Sequence, residues 1–223
     1  MISAPAKIIL FGEHAAVYHQ PAIAVPVNNL RAYASVHPAS SEVGLKLVTT
    51  EDGQSLPIQI DPADVNSAFA TTVRLVLAHC RAEMPKAEIR IDSDIPVASG
   101  LGSGAAVTTV LAKAVAEALG HPLSNEALNE IVFEVEKIYH GTPSGIDNTV
   151  IVYERPIYFI KGRPFELLSI AAPLTLLIAD TGVAASTKIA VGDVRRLYEA
   201  QPEKMQTLFS SIGAITNRAS ARP

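Results

Sequence analysis

Apolar positions change their period along the chain, and each change marks an element. Lys7 to Phe11 is an apolar run broken only by its lysine, while Leu30, Ala32, Ala34 and Val36 alternate with their neighbours, so both segments predict strands. Leu45 to Val48 and Ile58 to Ile60 predict two more. Past Asp61-Pro62 the period lengthens, and Phe69, Val73, Val76, Leu77 and Cys80 share one face of a helix that ends before Pro85. Ile89 and Ile91 alternate with Arg90 and Asp92 as a strand; Pro96 then opens a glycine-rich turn, and the Ala/Val/Leu segment Ser103 to Leu119 reads as a helix. A further helix is predicted over Asn125 to Ile138, capped by Ser124, with Leu128, Ile131, Val132, Val135 and Ile138 on its apolar face. Short strands are expected around Val150, over Ile157 to Ile160 and over Glu166 to Leu168, then an apolar strand Leu174 to Ala179 and a helical last stretch. The mixture is α+β. A boundary near Ala171-Ala172-Pro173 leaves about 50 residues behind it, thin for a core of their own.

With 223 residues, one large domain or two modest ones are expected. Apolar residues make up 48% and charged residues 18%, with a net charge of −4, which excludes a disordered polyelectrolyte and argues against a nucleic-acid partner. Cys80 is the only cysteine, so no internal disulfide forms and a reducing compartment is the simpler setting. The long uncharged run Ile95 to Ala112 is interrupted by Pro96, Gly100, Gly102 and Gly104, and Ile8 to Phe11 is too short for a signal-peptide core. A cytoplasmic protein with no membrane partner is expected.

The strongest chemical signal is Pro96-Val97-Ala98-Ser99-Gly100-Leu101-Gly102-Ser103-Gly104-Ala105. Alternating glycines let a backbone approach an anion, and the following helix offers unpaired N–H groups and its positive dipole end. The same glycines also suit a tight turn with close helix packing. There is no P-loop lysine. Gly100-x-Gly102-x-x-Ala105 has the letters of a dinucleotide loop, but Pro96 to Ser99 intervene and the acidic candidate, Glu126, opens a helix. Glu136 and Asp147 are two carboxylates in different settings, suited to holding a hard cation such as Mg²⁺ and to accepting a proton from a hydroxyl; equally, Asp147 suits a helix cap and Glu136 a solvated helix face. His140 follows Glu136 on the same helix with no third metal ligand in view. Lys7 stands in an apolar strand, either turned outward to solvent or inward for a purpose, with Glu13-His14 at the strand's end. No Gly-x-Ser-x-Gly elbow is present.

Together, Pro5-Ala6-Lys7-Ile8-Ile9-Leu10-Phe11-Gly12-Glu13-His14-Ala15-Ala16-Val17-Tyr18, the Pro96 to Ala106 loop and Glu136 to Asn148 resemble the GHMP kinases, most closely their mevalonate kinase branch. Pro21-Ala22-Ile23-Ala24, Ala179-Asp180-Thr181-Gly182 and Ser186-Thr187-Lys188 extend the resemblance over nearly the whole chain. It implies a two-lobed α+β fold, with a ribosomal-protein-like N-terminal domain over 1–172 and the start of a ferredoxin-like C-terminal domain over 173–223. The implied activity is phosphorylation of the primary hydroxyl of mevalonate by ATP, giving phosphomevalonate and ADP. Phosphomevalonate kinase, mevalonate-diphosphate decarboxylase and an inactive nucleotide-binding fragment are the alternatives. In the implied roles Asp147 is the base and Lys7 the cation beside it, while Glu136 and Ser103 hold Mg²⁺. Pro96, Ala98, Ser99, Gly100, Leu101, Gly102, Ser103, Gly104, Ala105 and Ala106 hold the nucleotide, and Glu13, His14 and Thr187 line the substrate side. A homodimer is also compatible with the family. Two departures stand out: Gly104 occupies the place of a serine that usually reaches Mg²⁺, leaving Ser103 or water, and the family's final glycine-rich loop is expected in further sequence beyond Pro223.

Overall fold

The computed structural model describes residues 1–39, 44–51, 54–61, 63–170, 172, 175–179 and 187–220. Its frame is a 7-stranded sheet. The 17-residue strand β2 (Ala22–Pro38) organises it, pairing antiparallel with β1 (Ile2–Phe11), β5 (Ala87–Ser93) and β6 (Ile157–Phe159). Beyond β5, β3 (Leu45–Glu51) runs parallel to it and forms a hairpin with β4 (Gln54–Gln59), while β7 (Glu166–Leu167) closes the other end. Both β1 and β2 start well before the segments their alternation predicts.

Four helices accompany this sheet: α1 (Ala68–Cys80), α2 (Ser103–Ala118), α3 (Asn125–His140) and α4 (Ile146–Tyr153). Ser67 and Ser124 cap α1 and α3 by accepting from the backbone N–H of Ala70 and Ala127, as Ser124 was expected to do. Helix α2 is the centrepiece, touching β1, β2, β5, α1, α3 and α4. Its small side chains, Ala105, Ala106, Ala112, Ala114 and Ala116, are all buried and let it lie close to its neighbours on every side.

Two expected strands are corrected. Val150 belongs to α4, because Thr149-Val150-Ile151-Val152 carries the β-branched signature of a strand yet is buried all round, which erases helical periodicity. Residues 175–179, the described part of the expected Leu174 to Ala179 strand, are irregular; among the described residues no strand pairs with them, and Leu177 is 98% exposed. The helical last stretch is present as α5 (Thr187–Ala200) and α6 (Pro202–Ser220).

This last pair is attached through a second, small core of Ala15, Met205 and Phe209. Tyr18, in the 3₁₀ turn Ala15–Tyr18, stacks on Phe209 at 4.4 Å between ring centroids and meets Tyr198 at 4.8 Å. Burial there pushes the Tyr18 phenol above its ordinary value. Gly213 helps α6 to come this close, since a Cβ would lie 3.1 Å from Pro21 Cδ and would displace the Gln20 amide. Among the described residues no helix is long and apolar enough to cross a membrane.

Candidate active site

Lys7 does not turn outward from β1. It is 5% exposed, and its Nζ stands 3.0 Å from Oδ2 of Asp147, whose side chain keeps 27% of its surface exposed. Its backbone N–H donates to Leu101 O at 2.9 Å, tying the strand to the glycine loop. Gly102 explains how the loop passes so close: a Cβ there would lie 2.9 Å from both Lys7 Cγ and Ile151 Cδ1, and φ is +79°. Strand, loop and α4 therefore interlock at one glycine.

Gly102 is also the N-cap of α2 and brings no capping side chain, so no side chain claims the first N–H groups of that helix, whose residues Ser103, Gly104 and Ala105 line the cavity. Those donors, with the helix dipole behind them, form an anion cradle. Ala98 holds a left-handed backbone, φ +58°, the kind of local strain that surrounding structure must maintain. Gly12 starts the opposite wall: its φ is +89° and a Cβ would meet Pro21 O at 2.3 Å, so only glycine delivers the chain to Glu13 and His14.

One cavity of about 560 Å³ collects these groups. Lys7, Glu13, His14, Ala98, Ser99, Gly100, Gly102, Ser103, Gly104, Ala105, Glu136 and Asp147 all line it. Glu136, near the end of α3, is 2% exposed, so it is not the solvated helix face that its surroundings in sequence also allowed. Asp147 lies in the first turn of α4, yet Gly145, not Asp147, is the N-cap. Pro96 is exposed away from the cavity, Leu101 is buried behind the loop and contributes its carbonyl to Lys7, and Ala106 is wholly buried inside α2. Thr187 opens α5 with its side chain outside the described residues, as is that of His140.

The cavity also takes in residues the sequence did not single out: Ile9, Ala16, Val17, Phe69, Asn148 and Val191. Asn148 had a signal, its place directly after Asp147. Val191 had none, being one more apolar position on an amphipathic helix. Among the described residues no three His, Cys, Asp or Glu side chains form a cage for a metal ion, so any cation here needs oxygen donors from its ligand or from water. The arrangement is a half-buried carboxylate paired with a buried ammonium, a second buried carboxylate, and an N–H cradle, gathered in one concave site suited to moving a phosphoryl group.

Residues 67–155 match the family described as GHMP kinases N terminal domain. The mevalonate kinase of Thermococcus onnurineus is 36% identical over 98% of this chain and 68% of its own length. The mevalonate kinase of Mus musculus is 30% identical over 97% of the chain and 67% of its own length. In three dimensions the L. major mevalonate kinase in complex with R-mevalonate aligns with a TM-score of 0.76, at 25% identity, over 98% of this chain and 67% of that one. The Methanococcus jannaschii mevalonate kinase gives 0.75 at 23% identity, over 98% and 71%, a likeness of fold.

Proposed function

The chain belongs to the mevalonate kinases within the GHMP kinases, and from that premise we propose that it phosphorylates the primary hydroxyl of mevalonate with ATP through Asp147, Lys7, Glu136 and the glycine loop. The observation that carries the residue roles is the Lys7–Asp147 pair, 3.0 Å apart, in the same cavity as the open N-terminus of α2. In this reading Asp147 accepts the hydroxyl proton as the alcohol oxygen bonds to the γ-phosphorus and the bond to the ADP oxygen breaks. Lys7 holds the carboxylate in place and offsets charge that develops on the transferring group. The N–H groups of Ser103, Gly104 and Ala105 cradle phosphate oxygens, and Glu13 and His14 contact the substrate.

Mg²⁺ fits the donor set: Glu136 carboxylate and Ser103 hydroxyl are hard oxygen ligands, and Mg²⁺ usually completes its shell with phosphate oxygens and water, so Gly104 in place of a serine leaves enough. Held by Glu136 and Ser103, the ion would supply neutralisation of the phosphate charge. Residues 1–172 form the catalytic lobe in this reading, and 173–223 begin a second one. Steady-state turnover with ATP and mevalonate, with the product identified by NMR, tests the proposal. Phosphate on the primary carbon is expected; turnover only with phosphomevalonate, or phosphate on the tertiary hydroxyl, would refute it.

A further inference from the structure

We propose that the amide pair Asn129–Asn148 positions Asp147 by fixing the first turn of α4 in one rotation and height against α3. The inference rests on the reading of Asp147 as the base. Asn148, the residue after Asp147, is 3% exposed; its Nδ2 donates to Asn129 Oδ1 at 2.7 Å and toward Asn129 O at 3.4 Å. Asn129 Nδ2 in turn approaches Thr149 Oγ1 at 3.5 Å, and that hydroxyl donates to Gly145 O at 2.6 Å. The turn that carries Asp147 is thus gripped from the α3 side, while Lys7 grips Asp147 itself.

Helix α4 needs such a grip. It has 8 residues, begins at Gly145 with φ +98° and has no side-chain cap. A helix this short has little stability of its own, so neighbours must set its placement. Ile146, Val150 and Ile151 are all wholly buried, but apolar packing tolerates small slips, whereas an amide pair has one register. On the partner helix, Asn129 and Glu136 are two turns apart on one face, so the clamp sets the base relative to the second carboxylate.

Stability does not account for the asparagine. Asn148 Oδ1 is buried and accepts no hydrogen bond from the described residues, and an unmet buried acceptor works against folding. An apolar residue of similar size avoids that cost but loses the bond to Asn129 Oδ1, the contact that orients α4 against α3.

The test compares Asn129→Ala, Asn129→Leu and Asn129→Asp with Asp147→Asn, measuring kcat, KM for mevalonate, melting temperature and affinity for a non-hydrolysable ATP analogue. Asn129 is only half-buried, so alanine adds no bulk and leucine fills the gap. Both are expected to lower kcat about tenfold, as a small misplacement of a reacting group does, with KM and nucleotide affinity within about twofold. Asn129→Asp keeps an acceptor for Asn148 Nδ2 and is expected to stay within about threefold of the parent kcat. Unchanged kcat in both Asn129→Ala and Asn129→Leu, beside an inactive Asp147→Asn, would reduce the pair to a structural contact and overturn the proposal. So would an Asn129→Asp as impaired as Asn129→Leu. Normal turnover in Asp147→Asn would instead remove the base, and with it anything for the clamp to position.

Discussion

The catalytic body and the last two helices are held on different terms. From β1 to β6 the buried residues form one continuous core, with α2 in contact at every side. In α5 and α6, by contrast, Ile189 is 66% exposed, Leu197 and Leu208 51% each and Ile215 47%, and attachment runs through the small Ala15, Met205 and Phe209 core. Lys7, Asp147, Glu136 and the glycine loop all belong to the body, and α5 adds Val191 to the cavity. The proposed chemistry is therefore seated in the continuous core, where motion costs most. The helix pair packs on the turn Ala15–Tyr18, directly after Glu13-His14, and also touches β1, β2 and α3. This contrast predicts that lesions in the body act on kcat and lesions at the attachment act on substrate binding.

The largest effect is expected from Asp147→Asn, which leaves the shape of the cavity and removes the carboxylate proposed as the proton acceptor beside Lys7. A fall in kcat of roughly 10²-fold or more, with ATP-analogue binding retained, is expected in steady-state assays. Near-parent turnover would show that the body's ion pair is a packing feature and would dissolve the contrast.

Next comes Gly102→Ala, which tests whether the interlock of loop, strand and α4 is tight. The new Cβ would sit 2.9 Å from Lys7 Cγ and Ile151 Cδ1 at φ +79°, so either the lysine stem or the loop must shift. A drop in kcat on the order of tenfold and a destabilisation of about 1–3 kcal/mol are expected from kinetics and thermal melts. An alanine variant with parent kinetics and melting temperature would mean that the loop has slack. Gly100→Ala is the control, because its Cβ meets nothing within 4 Å although φ is likewise +79°.

The body was also the more legible part of the sequence. The periods of Phe69 to Cys80 and Asn125 to Ile138 become α1 and α3 because each has one buried stripe and ends at a positive-φ residue, Arg81 or Gly141, whereas Ser103 to Leu119, buried on most sides as α2, was marked by its Ala/Val/Leu run behind the glycine turn. Short motifs carried the site because glycines and charges at fixed spacing are local. What escaped has physical causes. Helix α4 is buried on every face and so has no period, and 175–179 is apolar like a strand but has no partner among the described residues. Val191, Phe69 and the Asn129–Asn148 pair depend on which helices meet, information that no window of sequence holds.

Phe209→Ala probes the attachment. Removing the ring takes away the stack on Tyr18 and the centre of a small core, a loss of about 3–5 kcal/mol where a site cannot collapse. Because the contacts are local, hydrogen exchange in α6 is expected to quicken while the protection of α2 stays unchanged. KM for mevalonate is expected to rise severalfold through Glu13-His14, with kcat altered less. Loss of protection in α2 together with α6 would show one cooperative unit in place of two regions held on different terms.

The smallest effect concerns a charge cluster on the far strands, where neither chemistry nor attachment is at stake. Glu88 on β5 accepts from Lys46 on β3 at 2.9 Å and from Arg90 at 2.8 Å. Hydrogen bonds from Lys46 first, then Arg90, hold its carboxyl below the ordinary value of 4.5. A carboxyl held lower in the folded than in the unfolded chain binds fewer protons when folded. Its stabilising contribution is then complete above 4.5 and fades as pH falls through the lower folded value. Lys46 and Arg90 keep 49% and 62% of their side chains exposed, so solvent screening holds the effect down. Glu88→Gln is therefore expected to be less stable than the parent at about pH 7, with the gap narrowing as pH is lowered to about 3 and kcat unchanged throughout. Denaturant midpoints at the two pH values check this, and an equal gap at both would assign the loss to packing rather than charge. A change in kcat would be the more consequential result, since it would carry a perturbation from β3 and β5 into the cavity and show that the whole sheet, not only β1 with its glycine loop, is tuned to the reaction.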